Sequence, residues 1–415
     1  MTSNVFGKAL LVGDMESTFR TAGTPNMMTD TFDVGDLQPT PNIARLERNV
    51  QRGNFSPVVS RSGRKQQQFS FTHDIMGGGD GSTAPPWGRF LRACGMAQTQ
   101  IASAGMAYAR PEATNGRAGV TLAEGATSSY AGSLARLVVV EVTGAGEATV
   151  TSGETPAELS AYSETSVTVT SGTEFAGPQG AKMEMTYTGN LETGDRYYFL
   201  FTPTGYLYSP ISDPTTLESM YMYSYFGNKR HLLTGARGTF SFAATAGEFG
   251  AFNFTFTGDF HKPTDVSFPA NSAYSFGNFP TPPMVELADV SMSGAQVACP
   301  TTFGFDMSNT VAARLCANAS GANDGAIITG RTPSATFNMD AVPVASLDLY
   351  GLIESGAASS LSGYVGTAVG NHMMFLLSGQ MTNTQYANQD NLRKNDNTMG
   401  LVGAEGDDEI LIFAG

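Results

Sequence analysis

The sequence predicts a mainly-β protein with one short helix per domain, and three observations carry that prediction. The 415 residues include 48 glycines, 26 Phe and 15 Tyr; aromatic side chains suit a pleated surface and glycine suits the turns between strands. Several runs alternate apolar and polar residues with period two, most cleanly from Phe69 to Ile75 and from Phe252 to Gly258. Two stretches show helical spacing instead, and each follows proline.

Along the chain, Met1 to Leu11 carries one lysine and a short apolar stretch, less than a secretory signal requires. No segment approaches the roughly 20 apolar residues that span a bilayer as a helix, so neither targeting nor membrane insertion is expected. Residues 14 to 60, with Pro25, Pro39, Pro41 and Pro57, read as an extended arm or hairpin loop. Ser62-Gly63-Arg64 then makes a turn, and Phe69 to Ile75 a strand. The first helix runs from Pro85-Pro86-Trp87 to Met96, with Trp87, Phe90, Leu91 and Cys94 on one face and Gly95 as its left-handed stop.

Residues 133 to 207 read as a separate strand set: Leu137 to Val142, Ser166 to Thr170, Met183 to Thr188 and Arg196 to Thr202. This stretch holds nine acidic and three basic residues, which suits an acidic, solvated outer module. Residues 263 to 284, rich in proline and carrying Phe268, Tyr274, Phe276 and Phe279, have no clear period and read as a linker.

The chain then repeats itself. Thr329-Gly330-Arg331, Thr336 to Ala341 and a helix between Pro343 and Ser355, with Leu349, Leu352 and Ile353 on one face and Gly356 at its end, follow the order turn, strand, proline-started helix. Further on, Gly227-Asn228 to Gly235 resembles Gly370-Asn371 to Gly379. These parallels predict two copies of one small β domain, at 1–132 plus 208–262 and at 285–415, with 133–207 inserted in the first and 263–284 between them. Chance similarity between Gly-rich strands is the alternative.

Composition narrows the function. Only 14 % of residues are charged, against about 25 % in an average globular domain, so much of the surface is neutral and suits subunits that bury one another. The net charge of −14 argues against a surface that grips phosphates. Cys94, Cys299 and Cys316 form no CxxC pair and cannot complete a disulfide framework among themselves, which fits assembly in a reducing cytoplasm.

Catalytic patterns are missing. His73, His231, His261 and His372 are far apart, form no metal motif, and read as solvent-facing strand residues. Neither GxSxG nor GxxxxGK[ST] occurs. Gly77-Gly78-Gly79-Asp80-Gly81 lacks the lysine and hydroxyl of a phosphate loop. Asp407-Asp408-Glu409 cannot converge on a cation without a special turn, because adjacent strand residues point to opposite faces, and reads as a solvated turn. No catalytic, cofactor-binding or metal-binding residue is expected, and the chain is not expected to be an enzyme.

Leu46-Glu47-Arg48 with Ser56-Pro57, Ser62 to Lys65, Pro85 to Gly95, His231 to Thr239 and Thr329 to Pro333 together resemble the tail tube proteins of long, non-contractile-tailed bacteriophages. The resemblance covers most of the chain outside the insertion. It implies tandem β-sandwich or half-barrel domains that close into rings, trimeric and pseudo-hexameric or hexameric, which stack into a tube. It also implies residence in the virion tail after assembly in the host cytoplasm, and contacts with tape measure and terminator proteins. DNA would pass along the lumen without specific binding. Arg64, Arg237 and Arg331 either pair with carboxylates of neighbouring subunits or are ordinary surface arginines. Two other classes remain open from the sequence: another virion component (capsid, decoration or tail-completion) and a carbohydrate-binding or adhesive β protein.

Overall fold

The computed structural model describes residues 8–48, 50, 51, 56, 58–112, 119–153 and 162–415. Pro57 and Met1 to Gly7, on which part of the sequence reading rests, lie outside them. Strands take up 54 % of the chain and helix 5 %, so the molecule is mainly β. Among the described residues there are two short α-helices, α1 (Gly88–Ala93) and α2 (Leu349–Ser355).

The organising feature is a run of eight antiparallel strands. In spatial order they are Gly35–Leu46, Arg61–Asp74, Ala251–Phe260, Lys229–Thr245, Thr302–Asp306, Ser334–Asp340, Leu392–Leu401 and Asn371–Gln389. The first four come from the front of the chain and the last four from its end. They join at Ser241 to Thr245, which pairs with Asp306 to Thr302.

The two groups share one strand order. In front, the hairpin Gly35–Leu46/Arg61–Asp74 is followed sideways by Ala251–Phe260, Lys229–Thr245 and Met220–Phe226. Behind, the hairpin of Thr302–Asp306 with Ser334–Asp340, which continues into Asn309–Leu315 and Asn323–Arg331, is followed by Leu392–Leu401, Asn371–Gln389 and Ala358–Ala368. The repeated Gly-Asn pairs have a local reason. Gly227 and Gly370 adopt φ of 57° and 76°, a left-handed turn that glycine makes without a Cβ clash, and each opens a long strand of 17 or 19 residues.

Each long strand changes partners along its length and so leaves the wall for a second layer. Lys229 to Ala236 pairs with Met220–Phe226, and Met373 to Leu377 pairs with Ile410–Ala414. Register shifts at Thr234/Arg237 and Met381/Asn383 mark the bends, as bulges do. Between the layers lies one apolar cluster drawn from both groups. Phe242 meets Phe303, Phe305 and Phe375 at ring-centroid distances of 6.1, 5.1 and 6.1 Å.

The helices plug this core. Trp87, before α1, is fully buried against Tyr208 and Phe252 and donates Nε1–H to the Met76 carbonyl at 2.9 Å. Phe90 packs on Phe32, Phe71 and Phe254. Helix α2 is shorter than its proline suggests: the chain turns at Pro343 to Ser346, and Asp348 starts the helix by accepting from the Gly351 N–H at 2.8 Å. Gly95 and Gly356 end the two helices at φ of 84° and 63°.

The inserted module begins earlier than the composition suggests. Gly105–Pro111 pairs with Arg196–Thr202, and Thr121–Glu124 with Lys182–Thr186. Nor is it an outer decoration alone. Val138, Val140, Tyr197 and Phe199 point to the module's own core, whereas Leu137, Val139, Tyr198 and Leu200 pack on Tyr364, Met374, Leu376 and Phe413 of the main body. Coverage on both faces explains why Leu137 to Val140 is apolar throughout. The stretch 263–284 is largely irregular; its Phe268 and Tyr274 lie against Leu10, Val12 and Tyr225.

Candidate assembly surfaces

Period two divides the eight-stranded wall into unlike faces. One carries Phe69, Phe71, Phe252, Phe254, Phe256, Phe240, Phe242, Phe303, Phe305 and Phe337, all buried. The other carries Gln68, Ser70 and Thr72, then Asn253 and Thr255, Thr239 and Ser241, Gly304 and Asp306, Ser334 and Thr336, and Asp396 and Thr398. The register sets these side by side: Ser70 is opposite Thr255, Thr255 opposite Thr239, Ser241 opposite Asp306, Asp306 opposite Ser334, and Thr336 opposite Thr398. Most are partly or fully open to solvent, and the charged ones are acidic. Lys394 shares this face by alternation, yet it is buried at the far end, where it meets Asp340 at 2.9 Å and the Cys299 carbonyl at 2.9 Å. The wall therefore has an aromatic side that cannot face water and a smooth side of mostly small, neutral or acidic groups, which Arg64 and Arg237 also join by alternation.

Both ends of the wall are open among the described residues. Gly35–Leu46 has a ladder only towards Arg61–Asp74, and Pro39 and Pro41 are tolerated because an edge strand has a side on which no N–H is needed. At the other end, residues 381 to 389 pair only with Leu392–Leu401. Exposed Tyr386 and Leu392 lie in this second hairpin, at 60 and 62 % exposure. An unpaired ladder is a template for another strand.

The residues singled out in the sequence fall into place structurally. Arg237 gives its donors to the carbonyls of Leu217, Glu218 and Ala326 at 2.7, 3.1 and 3.3 Å. Arg331 binds Asp407, Glu409 and the Ile211 carbonyl. Both are thus used within the chain, whereas Arg64 is exposed. Asp407, Asp408 and Glu409 do alternate in direction: the outer two meet Arg331, and Asp408 turns the other way to Tyr108 at 3.2 Å and Arg110 at 3.5 Å. They are no solvated turn, since Asp408 and Glu409 are 2 and 6 % exposed.

The expectation of solvent-facing histidines is corrected at two of four positions. His73 and His372 are each 1 % exposed, and burial pushes both imidazoles down to about 4. His73 shares its alternation with Phe69, Phe71 and Ile75, which is the signal that places it on the covered face. His372 lies where both strand faces are covered. His231 and His261 are half-buried and also lowered, first by desolvation.

The Gly77 to Gly81 cluster serves close backbone packing between the front and back of the chain. A Cβ on Gly77 would lie 2.1 Å from the Gly370 carbonyl oxygen. The Gly77 N–H donates to Asn371 Oδ1 at 2.8 Å, and the Gly79 N–H to the Gly370 carbonyl at 2.8 Å. Among the described residues no group of three or more His, Cys, Asp or Glu could hold a metal ion, and no helix is long and apolar enough to cross a membrane. Comparison with known protein families and with curated proteins finds no match for the sequence.

Proposed function

We propose that this chain is a structural subunit of a bacteriophage tail tube, which self-assembles into stacked rings whose lumen conducts DNA. The wall carries this reading. Its aromatic side is sealed inside the subunit, its smooth side is neutral to acidic, and each lateral end offers an unpaired ladder. Head-to-tail pairing of the end at residues 381–389 with Gly35–Leu46 of the next copy would satisfy both edges and close a barrel.

The smooth face then becomes the lumen. Hydroxyl and amide groups with Asp74, Asp306 and Asp396 dominate this face, where Arg237 and Lys394 are engaged by partners within the chain and Arg64 is exposed at one margin, so DNA phosphates meet little cationic anchoring and the duplex slides without specific binding. The shared strand order of front and back would let three copies form a pseudo-hexameric ring. Such a subunit meets tape measure and terminator proteins in the tail, and its place is the virion after assembly in the host cytoplasm.

Electron microscopy of the purified protein at high concentration tests the proposal. Open-ended stacks of rings with a central channel are expected. Closed shells would favour a capsid or decoration role, and a monodisperse monomer at all concentrations would refute assembly.

A further inference from the structure

The internal joint between front and back is a template for the open ends of the wall. Arg61–Asp74 and Ser334–Asp340 hold the same place in the two strand orders, and each ends in an aspartate. Asp74 lies beside Ala251 and then Ala243, whereas Asp340 lies beside Lys394 and then Ala387. The next row runs His73, Phe252, Phe242 in front and Met339, Asn395, Tyr386 behind. Tyr386 therefore holds the place of Phe242. Two rows further on, Asn397 and Thr384 hold the places of Phe254 and Phe240.

These matching positions differ in chemistry. Phe240, Phe242, Phe252 and Phe254 are at most 2 % exposed, and the back of the chain seals them, with Phe242 directly opposite Phe305. Their counterparts end at the open edge, where Tyr386 is 60 % exposed. A phenylalanine core opened to water would aggregate, whereas this edge keeps one aromatic ring and meets water with hydroxyl and amide groups. Within its own chain Tyr386 meets the Tyr350 hydroxyl and, at 5.0 Å, the Arg393 guanidinium.

The other open edge carries the receiving side. Counted back from the two aspartates, Phe69 and Phe71 match Ala335 and Phe337. Ala335 and Phe337 pair with Phe305 and Phe303, whereas Phe69 pairs with Pro39, and Phe71 faces the register shift that holds Leu37. Pro39 and Leu37 thus stand where Phe305 and Phe303 receive Phe242. With Val34 and Phe226 they line an open cleft of about 650 Å³. Its counterpart at the internal joint is smaller, about 470 Å³, and Ala246 of the front hairpin borders it beside Phe303. Asp36 in the cleft and Arg393 beside Tyr386 are both exposed, so the two sides carry opposite charges.

We infer that Tyr386 of one copy seats in the cleft at Val34, Leu37, Pro39 and Phe226 of a second copy, with Tyr386 opposite Pro39 and Ala387 opposite Gln38. On the tube reading, on which this rests, the seat is the contact that closes each ring. Pro39 and Pro41 have no N–H to give an incoming ladder, so the seam holds fewer backbone bonds than the internal joint and depends more on the seated ring. The polar row around Tyr386 keeps the edge soluble until a partner arrives.

Two measurements on the full chain test the seat. Sedimentation velocity and electron microscopy compare the native protein with Tyr386→Ala and Tyr386→Phe, and thermal unfolding confirms that each variant folds. Tyr386→Ala is expected to sediment as a monomer at concentrations where the native chain forms rings, and Tyr386→Phe to keep the rings. For the register, Gln38→Cys and Ala387→Cys are combined with Cys299→Ser and Cys316→Ser. Directly opposite residues have Cβ atoms about 5 Å apart, within reach of a disulfide. Oxidation should link copies into a covalent ladder on a non-reducing gel. The control pair Gln38→Cys and Asn383→Cys, displaced by four residues or about 13 Å, should not link. If the native protein forms rings but Tyr386→Ala leaves them unchanged, or the control pair links as well as the matched pair, the seat is refuted while the tube reading stands. If the native protein never self-associates, both fail.

Discussion

His73 and His372 are held neutral in the core, and that choice has a price in acid. Between pH 6.5 and about 4, the unfolded chain binds a proton at each position that the folded chain refuses. Stability therefore rises with pH across this window and is lost on acidification, each histidine contributing a slope that approaches about 1.4 kcal/mol per pH unit. Urea midpoints at pH 7 and pH 4.5 should differ less in a His73→Gln, His372→Gln variant than in the native chain. Equal differences would mean that these imidazoles are not buried in the folded protein. Sequence held half of this result: the alternation Phe69, Phe71, His73, Ile75 reveals which face His73 takes, but whether a face is covered depends on strands far away in the chain.

At the level of elements, period two and glycine punctuation were legible because they are local. The strand over Phe252 to Gly258, the left-handed stops at Gly95 and Gly356, and the Gly-Asn openings of the long strands all follow from the chain's own backbone chemistry. The edge of the inserted module was not, because Gly105–Pro111 joins it only by pairing with Arg196–Thr202, some 90 residues on. What holds the module to the body was hidden for the same reason. In that otherwise apolar contact, Arg110 and Asp408 face each other at 3.5 Å and are 1 and 2 % exposed. Tyr198 donates to Glu112 Oε1 at 2.5 Å, and burial pushes its phenol up. A buried pair tolerates joint removal far better than the loss of one partner, which leaves a charge stranded. Asp408→Asn or Arg110→Met alone should cost about 3–5 kcal/mol, and Arg110→Met with Asp408→Leu should recover most of that loss, as read by urea unfolding. Additive costs in the double variant would show that the two groups do not interact.

For the whole molecule, two repeated strand orders need not mean two independent folding units. The front and back of the chain exchange a ladder between Ser241 to Thr245 and Thr302 to Asp306, and Phe242 shares its packing with Phe303, Phe305 and Phe375. Arg20 adds a clasp, joining Asp259 at 2.5 Å to Asp324 at 2.6 Å and the Asn323 carbonyl at 3.1 Å. Cutting the chain in the 263–284 stretch would expose a strand edge and a row of phenylalanines on each piece. Such a surface either aggregates or finds its complement. The body of the intact protein should therefore melt in one calorimetric transition, with calorimetric and van't Hoff enthalpies in agreement. Residues 285–415 expressed alone should be insoluble, or expanded in solution, and should become folded when co-expressed with 1–262. Two separated transitions matching the two pieces, or a soluble and cooperatively folded 285–415, would show that the common wall forms after folding. In that case the joint at 241–245 would be one more subunit-like interface, equivalent to those expected between copies.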